Sequence, residues 1–194
     1  MKGMIQVYTG NGKGKTTAAI GLSLRAAGAG KKVMFFQFMK AKGYSEHNVL
    51  AELAPRIDLE TVGKPFFIMP EGAEKEAEAE KWKDKAVVFP SGKPPGDYQT
   101  IIDLGLARAA QALAQGEYDL VVLDEINVAL SFGLIGWPKL EQILDQKAEG
   151  TEVVLTGRGA PPELTDKADL VTEMREIKHY YREQGLAARP GIEY

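Results

Sequence analysis

The residues best suited by type and spacing to do chemistry run Thr9-Gly10-Asn11-Gly12-Lys13-Gly14-Lys15-Thr16-Thr17. Glycines at this density let the backbone adopt positive φ and turn its amides toward one point, where phosphate oxygens are the matching acceptors. Lys15 adds a point charge for phosphate, and the Thr16 hydroxyl can join the coordination shell of a Mg²⁺ ion. A short alternating run, Met4-Ile5-Gln6-Val7-Tyr8, precedes the loop, and Ala18 to Leu22 reads as helix after it. Strand, glycine-rich turn, Lys-Thr and helix together form a phosphate cradle, with the positive end of the helix dipole aimed at the ligand. Without that context the loop would be a turn of no chemical meaning. The spacing is shortened, because Gly10 and Gly14 enclose three residues where the usual loop has four, and Lys13 is an additional cation within it.

A phosphate loop needs a carboxylate partner, and Tyr118-Asp119-Leu120-Val121-Val122-Leu123-Asp124-Glu125 supplies one. This apolar run reads as a buried strand ending in two acids, of which Asp124 or Glu125 can hold Mg²⁺ directly or through water. Glu152 to Thr156 is a further strand, and Arg158 follows it, where a guanidinium can pair bidentately with phosphate or form a surface salt bridge. Val33 to Met39 is a nearly continuous apolar run, as expected of a strand buried on both faces. Lys40 follows it, so Lys40 either faces the site at the carboxyl end of the sheet or is a solvated loop lysine. Phe66 and Phe67, in the cluster Gly63 to Pro70, are either core or an aromatic wall over a ligand, and burial in the core is the preferred expectation.

The elements that must position these groups alternate in type. Helices are expected over about Thr16–Ala29, Asn48–Leu53, Tyr98–Gln115, Pro138–Ala148 and Pro161–Ala168, with further strands at Ile57–Val62 and Leu170–Met174. Glu71 to Lys85, rich in Glu, Lys and Ala, reads as an exposed helix. The alternation predicts an α/β fold with a mostly parallel sheet and helices on both faces. The chain, of 194 residues with 44% hydrophobic and 26% charged residues, fits one domain with a sizeable core. Its net charge of −3 provides no basic field for nucleic acid. The absence of cysteine excludes disulfides, thiolate metal sites and a thiol redox couple. No apolar run is long enough to span a membrane, and the start carries no leader pattern, so the expected location is cytoplasmic. His47 and His179 show no metal-ligand pairing, and no Ser-His-Asp arrangement is readable.

Several stretches, in order along the chain, resemble the ATP:corrinoid adenosyltransferases of the phosphate-loop type. They are Thr9 to Ala19, Gln37-Phe38-Met39-Lys40, Glu46 with Asn48, Val121 to Glu125, Thr156-Gly157-Arg158-Gly159, Lys178-His179 and the ending Gly185 to Tyr194. The resemblance implies a RecA-like phosphate-loop fold, usually homodimeric, that transfers the 5′-deoxyadenosyl group of ATP to the Co(I) of a corrinoid and releases triphosphate. In that family ATP lies in the loop in the reverse of the usual sense. Carried over by position, Asn11, Gly12, Gly14, Lys15, Thr16 and Thr17 bind the triphosphate, while Arg25, Glu125 and Arg158 match other nucleotide-site positions; Gly10 and Lys13 of the same loop, and Lys40 at its strand end, are further candidates for holding the nucleotide. Lys15, Thr16 and Glu125 are the expected catalytic groups, and Thr16, Asp124 and Glu125 the expected Mg²⁺ ligands.

Arg25 stands about 15 Å along the helix from Lys15 at ~1.5 Å rise per residue, so it must serve another part of the site. The family's Gly-Phe-Thr-Trp motif is replaced here by Gly63-Lys64-Pro65-Phe66-Phe67, which places Phe66 and Phe67 as candidates to face the corrinoid and makes residues 63–97 a variable, lid-like segment. The N-terminal extension that covers the corrinoid in longer members has no counterpart ahead of the loop strand. With no cysteine and no flavin fingerprint, the electron that generates Co(I) is expected from a separate donor, a flavoprotein. An ordinary phosphate-loop ATPase or kinase, and a non-catalytic nucleotide- or corrinoid-binding module, are the alternatives.

Overall fold

The computed structural model describes residues 2–72, 86–90 and 92–193. Eight strands and seven helices are assigned among them: β1 (Ile5–Thr9), α1 (Lys15–Gly28), β2 (Val33–Phe38), α2 (Ser45–Glu52), β3 (Ile57–Val62), β4 (Phe67–Pro70), β5 (Ala86–Phe89), α3 (Gly96–Gln115), β6 (Leu120–Asp124), α4 (Ile126–Ser131), α5 (Trp137–Asp145), β7 (Glu152–Thr156), α6 (Pro162–Lys167), β8 (Leu170–Glu173) and α7 (Tyr180–Gln184). Six strands form one sheet in the order β3-β2-β6-β7-β1-β8, and every pairing in it is parallel. This is a RecA-like α/β arrangement. β7 lies between the strand that leads into the glycine-rich loop and the strand that ends in Asp124, so all three deliver their following residues to one edge.

The alternation within each strand explains the two layers. Val33 and Phe35 of β2 face a cluster with Ala19, Ala26, Ala27 and Leu50, under α1 and α2. Met34, Phe36 and Phe38 face the opposite way, into a larger cluster with Ile102, Leu106, Leu113, Ile126, Leu140 and Leu164. With both faces covered, β2 and β6 are buried at every position. The edge strand β8 is exposed throughout, so its apolar pair Leu170 and Val171 did not mark a core strand.

Several boundaries differ from the sequence expectation. α2 begins at Ser45 rather than Asn48, α3 at Gly96 rather than Tyr98, and α5 ends at Asp145 rather than Ala148. α4 and α7 were not expected, since six and five residues are too short to show a helical period. The cluster at Gly63–Pro70 contributes β4, which pairs in parallel with β5 as a separate two-stranded sheet. Of the helix expected over Glu71–Lys85, Glu71 and Gly72 form a turn and the remainder lies outside the described residues.

α3 packs closely on β3 at Gly105. A β-carbon there would stand 2.3 Å from Val62 Cγ1, and Val62 is fully buried. Alanine ordinarily favours a helix over glycine by ~1 kcal/mol, but overpacking a filled core costs ~1–3 kcal/mol, so the steric effect decides the sign. Gly105→Ala is therefore expected to lower the urea midpoint of unfolding. An unchanged or raised midpoint would show that the α3–β3 contact has slack.

Candidate functional site

The site is built where β1, β2, β6 and β7 end. The loop after β1 turns with Gly10 at φ 94° and Gly14 at φ 118°, and Gly14 is the N-cap of α1. It is braced from behind by the chain leaving β8: a β-carbon on Gly10 would lie 2.4 Å from Met174 O, and one on Gly12 would lie 2.8 Å from Arg175 C. The Gly12 amide donates to Met174 O at 2.7 Å. The Gly12 N–H thus holds the brace in this structure, while Gly10 and Gly14 supply the positive-φ turns of the loop. Lys15 is folded over the loop, donating to Gly10 O (2.6 Å) and Gly12 O (2.8 Å). Burial pushes the Lys15 ammonium below its ordinary pKa, and the positive charge of Arg158 adds to this against the opposing pull of Glu125 and Asp124. Asn11, Lys13 and Thr17 are exposed on the loop and the first turn of α1.

The second half of the site is Asp124, whose side chain is fully buried. Its Oδ1 accepts from Thr16 Oγ1 (2.9 Å) and Thr156 Oγ1 (2.6 Å), and its Oδ2 from Lys40 Nζ (2.9 Å) and Gln37 Nε2 (3.2 Å). Lys40 therefore faces the site and is not a solvated loop lysine. Burial lowers the Lys40 pKa, but Asp124, Glu125 and Glu46 outweigh burial and hold its charge above the ordinary lysine range. Glu125 follows with φ 61°, a left-handed backbone that turns the chain sharply into α4, while its N–H donates to Thr156 Oγ1 at 3.1 Å. Desolvation, and then the charge of Asp124, raise the Glu125 pKa above the ordinary carboxyl value.

Of the expected site residues, the structure thus gathers Gly10 through Thr16, Lys40, Asp124 and Glu125. Arg158 is on the surface just beyond β7, near enough for its charge to act on Lys15. Arg25 is exposed in the last turn of α1, at the far end from the loop, and its charge acts on Tyr8. Phe66 is half-buried against the core, its ring 6.1 Å from that of Tyr98. It also lines an open cavity of about 240 Å³ with Lys40, Tyr44 and Lys64, so one ring both packs on the core and borders open space. The part expected of the Phe67 side chain lies outside what the structure describes. The sequence reading assigned no role to Gln37 or Thr156. Gln37 carried a signal, being the polar residue in an otherwise apolar strand; Thr156, a β-branched residue ending a strand, was marked only by lying in a stretch that resembles the family.

The oxygen donors Thr16, Asp124 and Glu125 have the hardness that Mg²⁺ prefers. Among the described residues, no group of three or more His, Cys, Asp or Glu is assembled as a metal cage. The Thr16 hydroxyl spends its proton on Asp124, and its oxygen, with Lys40 Nζ at 3.5 Å as a long-range donor, retains a lone pair for an ion, whereas Asp124 already has four donors. Thr16 is thus fitted to direct ligation and Asp124 to orienting Thr16 and water.

Sheet order, loop and carboxylate define a phosphate-loop protein of the RecA-like type. A family model described as ATP:corrinoid adenosyltransferase BtuR/CobO/CobP matches residues 1–194. The chain is 33% identical over 193 residues to a corrinoid adenosyltransferase of Pseudomonas aeruginosa, covering 100% of this chain and 84% of that protein. It is 30% identical over 194 residues to the corrinoid adenosyltransferase of Escherichia coli K12, covering 100% and 86%. It is 33% identical over 196 residues to the corrinoid adenosyltransferase CobA of Salmonella typhimurium, again covering 100% and 86%. This chain belongs to the ATP:corrinoid adenosyltransferase family.

The raised pKa of Glu125 has a consequence for stability. In the folded, ligand-free chain its carboxyl binds a proton more tightly than in the unfolded chain, so this contribution is present at low pH and is lost as pH rises through the raised value. Glu125→Gln removes the loss. Melting of the ligand-free variant is expected above that of the parent at pH 8, with the gap narrowing as pH falls. A variant that melts lower at pH 8 would contradict the assigned shift.

Proposed function

We propose that this chain transfers the 5′-deoxyadenosyl group of ATP to the Co(I) of a reduced corrinoid and releases triphosphate. The observation that carries the reading is the Thr16–Asp124 contact, which closes the glycine-rich loop against the carboxylate strand in a chain matched end to end by the family model. In the reaction the Co(I) electron pair forms the bond to C5′, the C5′–O bond breaks, and its electrons leave with the triphosphate. The nucleophile is the reduced metal of the substrate, so no protein base is required. What the protein must supply is alignment and stabilisation of the leaving group.

We assign those tasks as follows. Lys15 leaves its two loop carbonyls for triphosphate oxygens, exchanging neutral acceptors for anionic ones in a partly desolvated place. Lys13, Asn11 and Thr17 complete the loop's polar surface, and Arg158 pairs with phosphate from the β7 side. Mg²⁺, when bound at Thr16, offsets the negative charge that grows on the departing triphosphate. Lys40 stays charged beside Asp124, adding a fixed cation at the same edge. The Glu125 carboxyl, whose pKa is raised by burial and by the charge of Asp124, is drawn back toward its ordinary value as cations enter. Arg25 is too far along α1 for the triphosphate and is assigned to another part of the nucleotide site. Phe66 is placed against the corrinoid, with residues 63–97 as its cover. We further propose a homodimer and a separate flavoprotein donor for the electron.

The test is anaerobic incubation with ATP, Mg²⁺ and chemically reduced cobalamin, following the cobalt spectrum and the phosphate products together. The expected outcome is loss of the Co(I) spectrum, a light-sensitive Co–carbon product and intact triphosphate. Lys15→Ala is expected to slow turnover by ~10²-fold or more, the effect of deleting one key electrostatic donor. Steady orthophosphate release with unchanged Co(I) would instead identify an ATPase.

A further inference from the structure

One buried side chain outside the groups assigned above reaches Asp124 through an intermediary. His47, on α2, is 8% exposed, and Gln37 beside it is fully buried. The Gly43 N–H donates to His47 Nδ1 at 3.2 Å. A ring nitrogen that accepts carries no proton, so the neutral ring bears its proton on Nε2. Nε2 lies 2.5 Å from Gln37 Oε1 and donates to it. That contact fixes the direction of the Gln37 amide, whose NH₂ then donates to Asp124 Oδ2 (3.2 Å) and Glu46 Oε1 (3.3 Å). Turning the amide over would set its oxygen against two carboxylates and its N–H groups against the His47 N–H. Both ends of the chain oppose the reversal, so its polarity is set from Gly43 to Asp124.

We infer that His47 is a positioning residue: acting through Gln37, it fixes the Asp124 carboxylate so that Thr16 is presented correctly to the metal-bound nucleotide. The inference rests on the proposed role of Thr16 and Asp124 toward Mg²⁺. Asp124 uses Oδ1 to orient Thr16 and Oδ2 to meet Gln37 and Lys40. Rotation of the carboxylate would therefore carry Oδ1 away from Thr16. Thr156 restrains Oδ1 from the β7 side and Gln37 and Lys40 restrain Oδ2, and of the two donors to Oδ2 only Gln37 depends on a further residue for its direction. Outer partners of this kind typically change metal affinity by ~10–100-fold when removed. The competing role for His47 is packing alone, between α2 and β2 with its ring 5.6 Å from that of Tyr44. Packing has no reason to distinguish magnesium-bound from magnesium-free ATP.

Calorimetric titration of ATP, with Mg²⁺ and separately with EDTA, makes the distinction. His47→Leu is expected to weaken binding of ATP·Mg²⁺ by ~10-fold or more while leaving magnesium-free ATP within ~2-fold. His47→Gln, which retains an N–H for Gln37 Oε1, is expected to recover most of the loss. Equal weakening under both conditions, or none in a folded variant, overturns the inference. Should His47→Leu fail to fold, Gln37→Met removes the intermediary and is read by the same criteria. Asp124→Asn separates the two levels. If it abolishes the magnesium-dependent gain while His47→Leu retains it, His47 is packing only; if Asp124→Asn itself retains the gain, the metal role of Asp124 fails, and the inference fails with it.

Discussion

A fully buried carboxylate is the constraint on which this structure turns. Asp124 sits where no water reaches it, and an ionised group in that position is tolerated only with its acceptor sites filled. Four donors fill them, one each from the start of α1, the end of β2, the second residue past β2 and the end of β7. The order β2-β6-β7-β1 is what allows this, because the neighbours of β6 on either side end level with it. Removing one partner of such a buried pair costs ~3–5 kcal/mol, so the site and the stability of the sheet edge are not separable. The same contacts that hold the fold together place a hydroxyl, an ammonium and two carboxyls around one small volume.

The phosphate loop is held in a comparable way. Its glycines bring the backbone against Met174 and Arg175, the Gly12 amide is spent on Met174, and Lys15 is parked on two loop carbonyls. The loop thus keeps its shape from internal bonds, and the lysine has only to exchange acceptors to meet an anion. The depressed pKa of Lys15 and the raised pKa of Glu125 share one origin. Each is a charge held away from solvent, and each would be relieved by the opposite charges that a magnesium–triphosphate complex brings.

The sequence made legible whatever depends on local pattern. Glycine spacing marked the loop, apolar runs marked β2 and β6, and two acids ending a strand marked Asp124 and Glu125. The parallel sheet followed from alternation of strands and helices, since parallel neighbours require crossovers. What stayed hidden depends on distant partners. Lys40 could be read as solvated until Asp124 was placed beside it from 84 residues away. Thr156 looked like an ordinary strand residue, and Gln37 was visible as a polar exception without a stated partner. β4 and β5 are four residues each and are defined by pairing with one another rather than by any period of their own. Arg25, matched by position alone, is the residue that one chain leaves outside the cluster.

A crystal structure of the ATP·Mg²⁺ complex tests the central claim most directly. The account predicts Lys15 Nζ moved from Gly10 O and Gly12 O onto triphosphate oxygens, Thr16 Oγ1 within the magnesium shell, and Asp124 still accepting from Thr16 and Gln37. Triphosphate bound elsewhere, with Lys15 still on its carbonyls and no ion at Thr16, would contradict it.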